Sequence, residues 1–103
     1  MSDYDIQYTQ ASYNDIVQIG HYISYSLLEP DISKRFIKEL LISIRSLSTF
    51  PYRYPLIHNI KKKYNLHCKP FKTFYIFYSV NESLKEITII RVLYNKRDWG
   101  KIV

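Results

Sequence analysis

Between Phe74 and Val80 the chain carries apolar or aromatic side chains on both parities. Phe74, Ile76, Tyr78 and Val80 share one face of an extended segment, and Tyr75 and Phe77 share the other. Side chains alternate across a strand, so this pattern demands a strand covered on both faces, which places it in the middle of a sheet. Leu66 to Lys69 before it and Ile87 to Tyr94 after it also read as strands, and Asn81-Glu82-Ser83 supplies a polar turn between the last two. Three such strands in succession predict an antiparallel meander.

Something must cover this sheet, and the first half of the chain has the periodicity to do so. Tyr4, Ile6 and Tyr8 alternate with polar residues and predict a first strand. Ser12 with Asp15 three residues later resembles a capping box, and Ile16, Ile19, Ile23 and Leu27 then recur at helical spacing, so a helix is expected from Ser12 to Leu28. Pro30 breaks it and Asp31 is placed to cap the next helix. There Phe36, Ile37, Leu40, Leu41, Ile44 and Leu47 form a broad apolar stripe opposite Lys34, Arg35, Lys38, Glu39 and Arg45, ending near Phe50-Pro51. Residues 51–63, with two prolines and no sustained period, read as an ordered loop. The expectation is one α+β domain spanning residues 1–103, ordered β-α-α-β-β-β. A helical hairpin packs on one face of a small, twisted, mainly antiparallel four-stranded sheet.

Charge gives the first functional direction. The chain carries +6 overall, but residues 1–33 hold Asp3, Asp5, Asp15, Glu29 and Asp31 and no Lys or Arg, a net −5, against +11 for the remainder. A basic surface on the later two thirds suits a polyanion or an acidic protein partner. With one cysteine, Cys68, there is no internal disulfide and no thiolate cluster for zinc. His21, His58 and His67 lack metal-ligand spacing, so neither metal nor other cofactor is expected. No apolar run approaches the length of a membrane span and the first residues carry no secretory pattern, so the expected location is the cytoplasm, away from membranes.

Several local patterns, in order, resemble the RelE/ParE superfamily of bacterial toxins, also described as plasmid stabilisation proteins. They are Ala11 with Asp15-Ile16, the helix ending Leu47-Ser48-Thr49-Phe50-Pro51, the strand Phe74-Tyr75-Ile76-Phe77-Tyr78, and the ending Ile90 to Trp99. The resemblance implies the toxin of a type II toxin–antitoxin system, silenced by a cognate antitoxin, alone as a homodimer or with the antitoxin as a hetero-oligomer. It implies one of two activities: growth inhibition by binding DNA gyrase, or ribosome-dependent cleavage of messenger RNA. An antitoxin-binding remnant without toxicity is a third outcome.

Cleavage by an attacking 2′-hydroxyl needs a base, cations for the phosphate and a proton donor. By resemblance to the endonucleases, His67 is the candidate base, Lys69 and Arg97 the phosphate clamps, and Tyr94 the donor or stacking group. Tyr75 stands where those enzymes commonly carry arginine, and the residues read to Val103 include no closing tyrosine, so the pattern favours the ParE-like branch. For anion or partner binding the candidates are Lys61, Lys62, Lys63, Lys69, Arg91 and Lys96. Arg91 interrupts an apolar face shared with Ile87, Ile89 and Leu93, so it is expected to pair with a carboxylate or line a groove. Trp99 is expected to cover the sheet.

Overall fold

The computed structural model describes residues 3–57, 65–99 and 102. A first strand, β1 (Asp5–Tyr8), leads into α1 (Gln10–His21), which continues as a π turn through Ser26; α2 (Pro30–Arg45) follows and tightens into a 3₁₀ turn at Ser46–Ser48. The remaining strands are β2 (Leu56–Ile57), β3 (Leu66–Phe71), β4 (Phe74–Asn81) and β5 (Glu86–Tyr94). They form one sheet in the order β1-β5-β4-β3-β2, with β1 parallel to β5 and every other pair antiparallel. The expected meander is present with β4 at its centre. The sheet has five strands rather than four, because two residues of the presumed loop, Leu56 and Ile57, pair with His67 and Leu66.

The two parities of β4 are buried in two separate clusters. Ile76 and Tyr78 pack with Ile16, Leu40, Ile44, Leu47, Ile87, Ile89 and Val92 beneath the helices. Phe77 packs with Leu66 and Leu93 on the other side, where Tyr75, Trp99 and Ile102 lie against them. Trp99 sits 5.4 Å from the Phe77 ring, and with Ile102 it covers the face that the helices leave open. Burying a large aromatic or branched side chain contributes roughly 1.5–3 kcal/mol, which makes these two layers the main stabilising term.

One irregularity decides where the polar groups go. Phe77 opposes Arg91 while Tyr78 opposes Ile89, so Ile90 is an extra residue in β5, a β-bulge. It reverses the parity of the strand: Ile87 and Ile89 face the helices, but so does Val92, and Leu93 faces away. The continuous face Ile87-Ile89-Arg91-Leu93 expected from simple alternation is therefore split. Arg91 meets Asp15 of α1 in a two-point fork, Nε to Oδ2 at 2.7 Å and Nη2 to Oδ1 at 2.8 Å, and Asp15 Oδ2 also accepts the Val92 amide at 3.0 Å. Hydrogen bonding to Asp15 raises the Arg91 guanidinium further above its ordinary range.

Asp15 is thus not the distal partner of a capping box. The N-cap of α1 is Thr9, whose Oγ1 accepts the Ser12 amide at 3.0 Å and donates to the Ile90 carbonyl at 2.9 Å, tying the helix start to the bulge. The helix begins two residues earlier than its apolar period suggests; its α-helical part ends at His21 and the π turn carries the helical run to Ser26, two residues short of Leu28. Glu29 occupies the N-cap of α2 without a side-chain bond, and Asp31 lies in the first turn with Pro30, where negative charge complements the helix dipole. The hairpin is closed by the buried Ser33, whose hydroxyl donates to the Gly20 carbonyl at 2.7 Å.

A surface network joins three segments remote in sequence. Glu82, in the β4–β5 turn, accepts the hydroxyls of Tyr4 and Tyr52 and pairs with Lys85. The Lys85 ammonium lies 4.9 Å from the Tyr4 ring centroid. These bonds, Lys85 first, pull the Glu82 carboxyl down to about 2, and the bond to Glu82 pushes the Tyr52 phenol up to about 12.

Two predictions follow from these contacts. Deleting Ile90 keeps the pairs Tyr78–Ile89 and Phe77–Arg91 but removes the bulge and the carbonyl that Thr9 Oγ1 bonds, so the variant is expected to melt at a lower temperature than the parent chain, as followed by near-ultraviolet circular dichroism. Because the folded carboxyl of Glu82 titrates below its unfolded value, its stabilising effect is complete above about pH 5 and is lost as pH falls toward 2. Glu82→Gln should therefore lower Tm at pH 7, with the gap to the parent chain closing between pH 5 and pH 2.

Candidate partner groove and cationic strand end

The functional candidates fall in three places, and β3 provides the first. His67 and Lys69 alternate toward the helices and are only 7% and 9% exposed. His67 Nδ1 lies 2.7 Å from the Tyr54 carbonyl, so that nitrogen carries the proton, and its ring stacks on Tyr78 at 5.1 Å. Lys69 Nζ donates to the Ser43 carbonyl at 2.8 Å and to Ser46 Oγ at 2.9 Å, capping the carbonyl end of α2. Burial lowers the Lys69 ammonium from its usual range, and nearby Arg53 lowers it further. Tyr78 Oη donates to the Pro51 carbonyl at 2.7 Å. Together these side chains pin residues 51–54 to the sheet.

The second place is the end of β5. Tyr94 is 43% exposed, lies edge-on to Phe74 at 6.0 Å and borders a cleft of about 430 Å³ with Gln18, Ile19 and Tyr22. Lys96 and Arg97 are exposed in the following turn, where the Arg97 amide bonds to the Tyr94 carbonyl at 3.0 Å. Arg91, three residues before Tyr94, is taken up by Asp15 and lies apart from this group.

These two places are separate. His67 is opposite Tyr78, and Tyr94 is opposite Phe74, four residues away along β4 and on the other side of it. That is a displacement of roughly 13 Å along the strand and roughly 10 Å across it. The structure therefore brings Tyr94, Lys96 and Arg97 together, and His67 with Lys69, but does not join the two sets. Lys61, Lys62, Lys63 and His58 lie outside the described residues.

The third place is the seam between the helices. One cavity of about 540 Å³ runs from the hairpin turn past Tyr25, Lys34 and Lys38, and another of about 730 Å³ continues past Tyr8, Tyr13 and Arg45. Both share Ile37 and Leu41 as floor. Lys34, Lys38 and Arg45 recur at spacings of four and seven residues, which lines one side of α2 with positive charge over roughly 17 Å. The alternation of bases and apolar residues on α2 is visible in the sequence. That α1 leaves the seam open is not, because this depends on the angle set by the Asp15 fork and the Ser33 bond.

Among the described residues no helix is long and apolar enough to cross a membrane, and no cluster of three His, Cys, Asp or Glu side chains could hold a metal ion. The lone Cys68 is half-buried on β3, which pushes its thiol up to about 11.

Comparison with known proteins places this arrangement. No curated protein sequence matches the chain. Among solved structures, the chromosomal ParDE system of P. aeruginosa contains a chain that superposes with a TM-score of 0.69 at 16% identity, covering 88% of this chain and 95% of that one. The RelBE2 toxin–antitoxin complex of Mycobacterium tuberculosis gives 0.62 at 16% identity, covering 91% and 93%. The archaeal RelE–RelB complex of Pyrococcus horikoshii OT3 gives 0.63 at 15% identity, covering 92% and 98%. At such identities these likenesses establish the fold alone. The family profile described as the ParE toxin of type II toxin–antitoxin systems matches residues 6–99, nearly the whole chain, and with the five-stranded sheet and its helical hairpin it shows that this protein belongs to the ParE toxin family.

Proposed function

We propose that this ParE-family toxin arrests growth by binding a cellular target, a type II topoisomerase such as DNA gyrase, and that it does not cut messenger RNA. One observation carries the reading: the four candidate groups for in-line cleavage, all among the described residues, are not gathered at one point. The candidate base, His67, is buried against Tyr78 and bonded to the Tyr54 carbonyl, and Lys69 is committed to the end of α2. The candidate donor and second clamp, Tyr94 and Arg97, lie at the other end of β4. A base and a proton donor must both lie within hydrogen-bond reach of the reacting phosphodiester, about 3 Å, a condition that His67 and Tyr94 do not meet together.

The exposed cluster of Tyr94, Lys96 and Arg97 is a target-facing candidate, since an aromatic ring beside two cations suits a protein hot spot. Silencing is assigned to the seam between the helices. Its apolar floor, Ile37 and Leu41, and its basic edge, Lys34, Lys38 and Arg45, fit an acidic amphipathic segment of a cognate antitoxin that folds as it binds. The complexes that contain the structurally similar ParE and RelE chains support such a partner.

Inducible expression in a bacterial host tests this reading. Growth arrest with induction of the DNA-damage response, and unchanged transcript ends on ribosomes, is the expected result. New transcript ends within translated messages would establish the endonuclease instead, and unaffected growth would indicate an antitoxin-binding remnant.

A further inference from the structure

At the opposite end of α2 from the hairpin turn, a cleft of about 500 Å³ opens between Tyr4, Thr49, Phe50, Pro51, Tyr52 and Arg53. It adjoins the seam at Tyr4, which lines both cavities, and otherwise lies outside the surfaces described above; its walls are aromatic and exposed. Phe50 and Tyr52 are 65% and 55% exposed, although aromatic rings of this size are ordinarily buried. The Tyr4 and Tyr52 rings stand at 86° with centroids 6.4 Å apart, forming an aromatic corner. That corner is fixed in advance, because Glu82 accepts both phenolic hydroxyls.

Among the described residues, Arg53 is the one charged side chain that lines the cleft. Glu82 is the one nearby acid in this network, and it is neutralised by Lys85. Arg53 is exposed, lies 6.0 Å from the Tyr54 ring centroid, and has no carboxylate partner among the described residues. Flat apolar walls with one free guanidinium at the rim select a ligand that is planar and anionic at once. A nucleotide meets both demands, since every base presents a π face and the guanidinium fork matches phosphate oxygens. The volume lies within the range of small-molecule sites and accommodates one base with its sugar and phosphate. An acidic peptide would satisfy Arg53 but would leave the aromatic corner without a planar partner.

We propose that this cleft is a nucleotide-binding site, with the base lodged among Phe50, Tyr52 and Tyr4 and the phosphate at Arg53. Glu82 acts as a positioning residue that holds the two tyrosine rings. The site is independent of the proposed mode of toxicity. Its nucleotide is either free in solution or part of a single strand.

Calorimetric titration of the full chain with adenosine and uridine monophosphates, and with ten-residue oligo-dT and oligo-rU, tests this. Saturable binding of at least one probe is expected, and Phe50→Ala and Arg53→Ala, both at exposed positions, should each weaken it by about tenfold or more, the scale of one lost stacking or phosphate contact. Glu82→Gln should weaken binding less and leave its salt dependence unchanged, whereas Arg53→Ala should reduce that dependence. Binding of mononucleotides identifies a free ligand, and binding of the oligomers alone identifies a strand; either supports the site. Failure of all four probes, binding insensitive to both alanine variants, or capture of a poly-glutamate peptide in preference to every nucleotide would overturn it.

Discussion

The arrangement of this protein depends on one buried fork, in which Asp15 of α1 receives both the Arg91 guanidinium and the Val92 amide of β5. The Asp15 side chain is only 9% exposed and that of Arg91 24%. In such surroundings the cost of removing charges from water is large, and the pair is worth having only because its geometry is good and a third donor completes the carboxylate. Its chief effect is on position. The bulge at Ile90 turns Arg91 toward α1, and Thr9 bonds to the same bulge while starting the helix. The angle between hairpin and sheet is thereby set, and with it the width of the seam that the antitoxin is assigned to fill.

Much of this architecture is visible in the sequence, and the parts that are not share a cause. Strand and helix periodicity is local, so the doubly apolar β4, the stripe on α2 and the order of the elements can be read directly. The choice of Arg91 between ion pair and groove could be framed, since a guanidinium on an apolar strand must find a partner. Its partner could not be named, because Asp15 lies 76 positions away and the bulge that brings them together has no periodic signature. The same limit applies to Leu56-Ile57, a two-residue strand defined by its neighbour, and to Tyr4, Tyr52 and Glu82, which meet through turns.

His67 and Lys69 illustrate how position in a family pattern differs from role. Both are candidates by resemblance alone, and their polar atoms are turned inward, one to the Tyr54 carbonyl and the other to the end of α2. They stabilise the segment that carries Phe50 and Arg53 and fasten the last turn of α2. Chemistry-bearing residue types have been used here as struts, and what remains exposed is suited to binding: a basic apolar seam, a cationic strand end and an aromatic cleft. That division of labour supports the proposed reading of a toxin that acts by binding.

The most direct test of the account is a double-mutant cycle on the fork, using Asp15→Asn, Arg91→Gln and both together, with stability measured by urea denaturation at pH 7. A coupling energy of about 2–3 kcal/mol is predicted, since breaking either side strands the other charge in a buried site. Effects that add within about 0.5 kcal/mol would contradict the claim that this pair fixes the hairpin on the sheet.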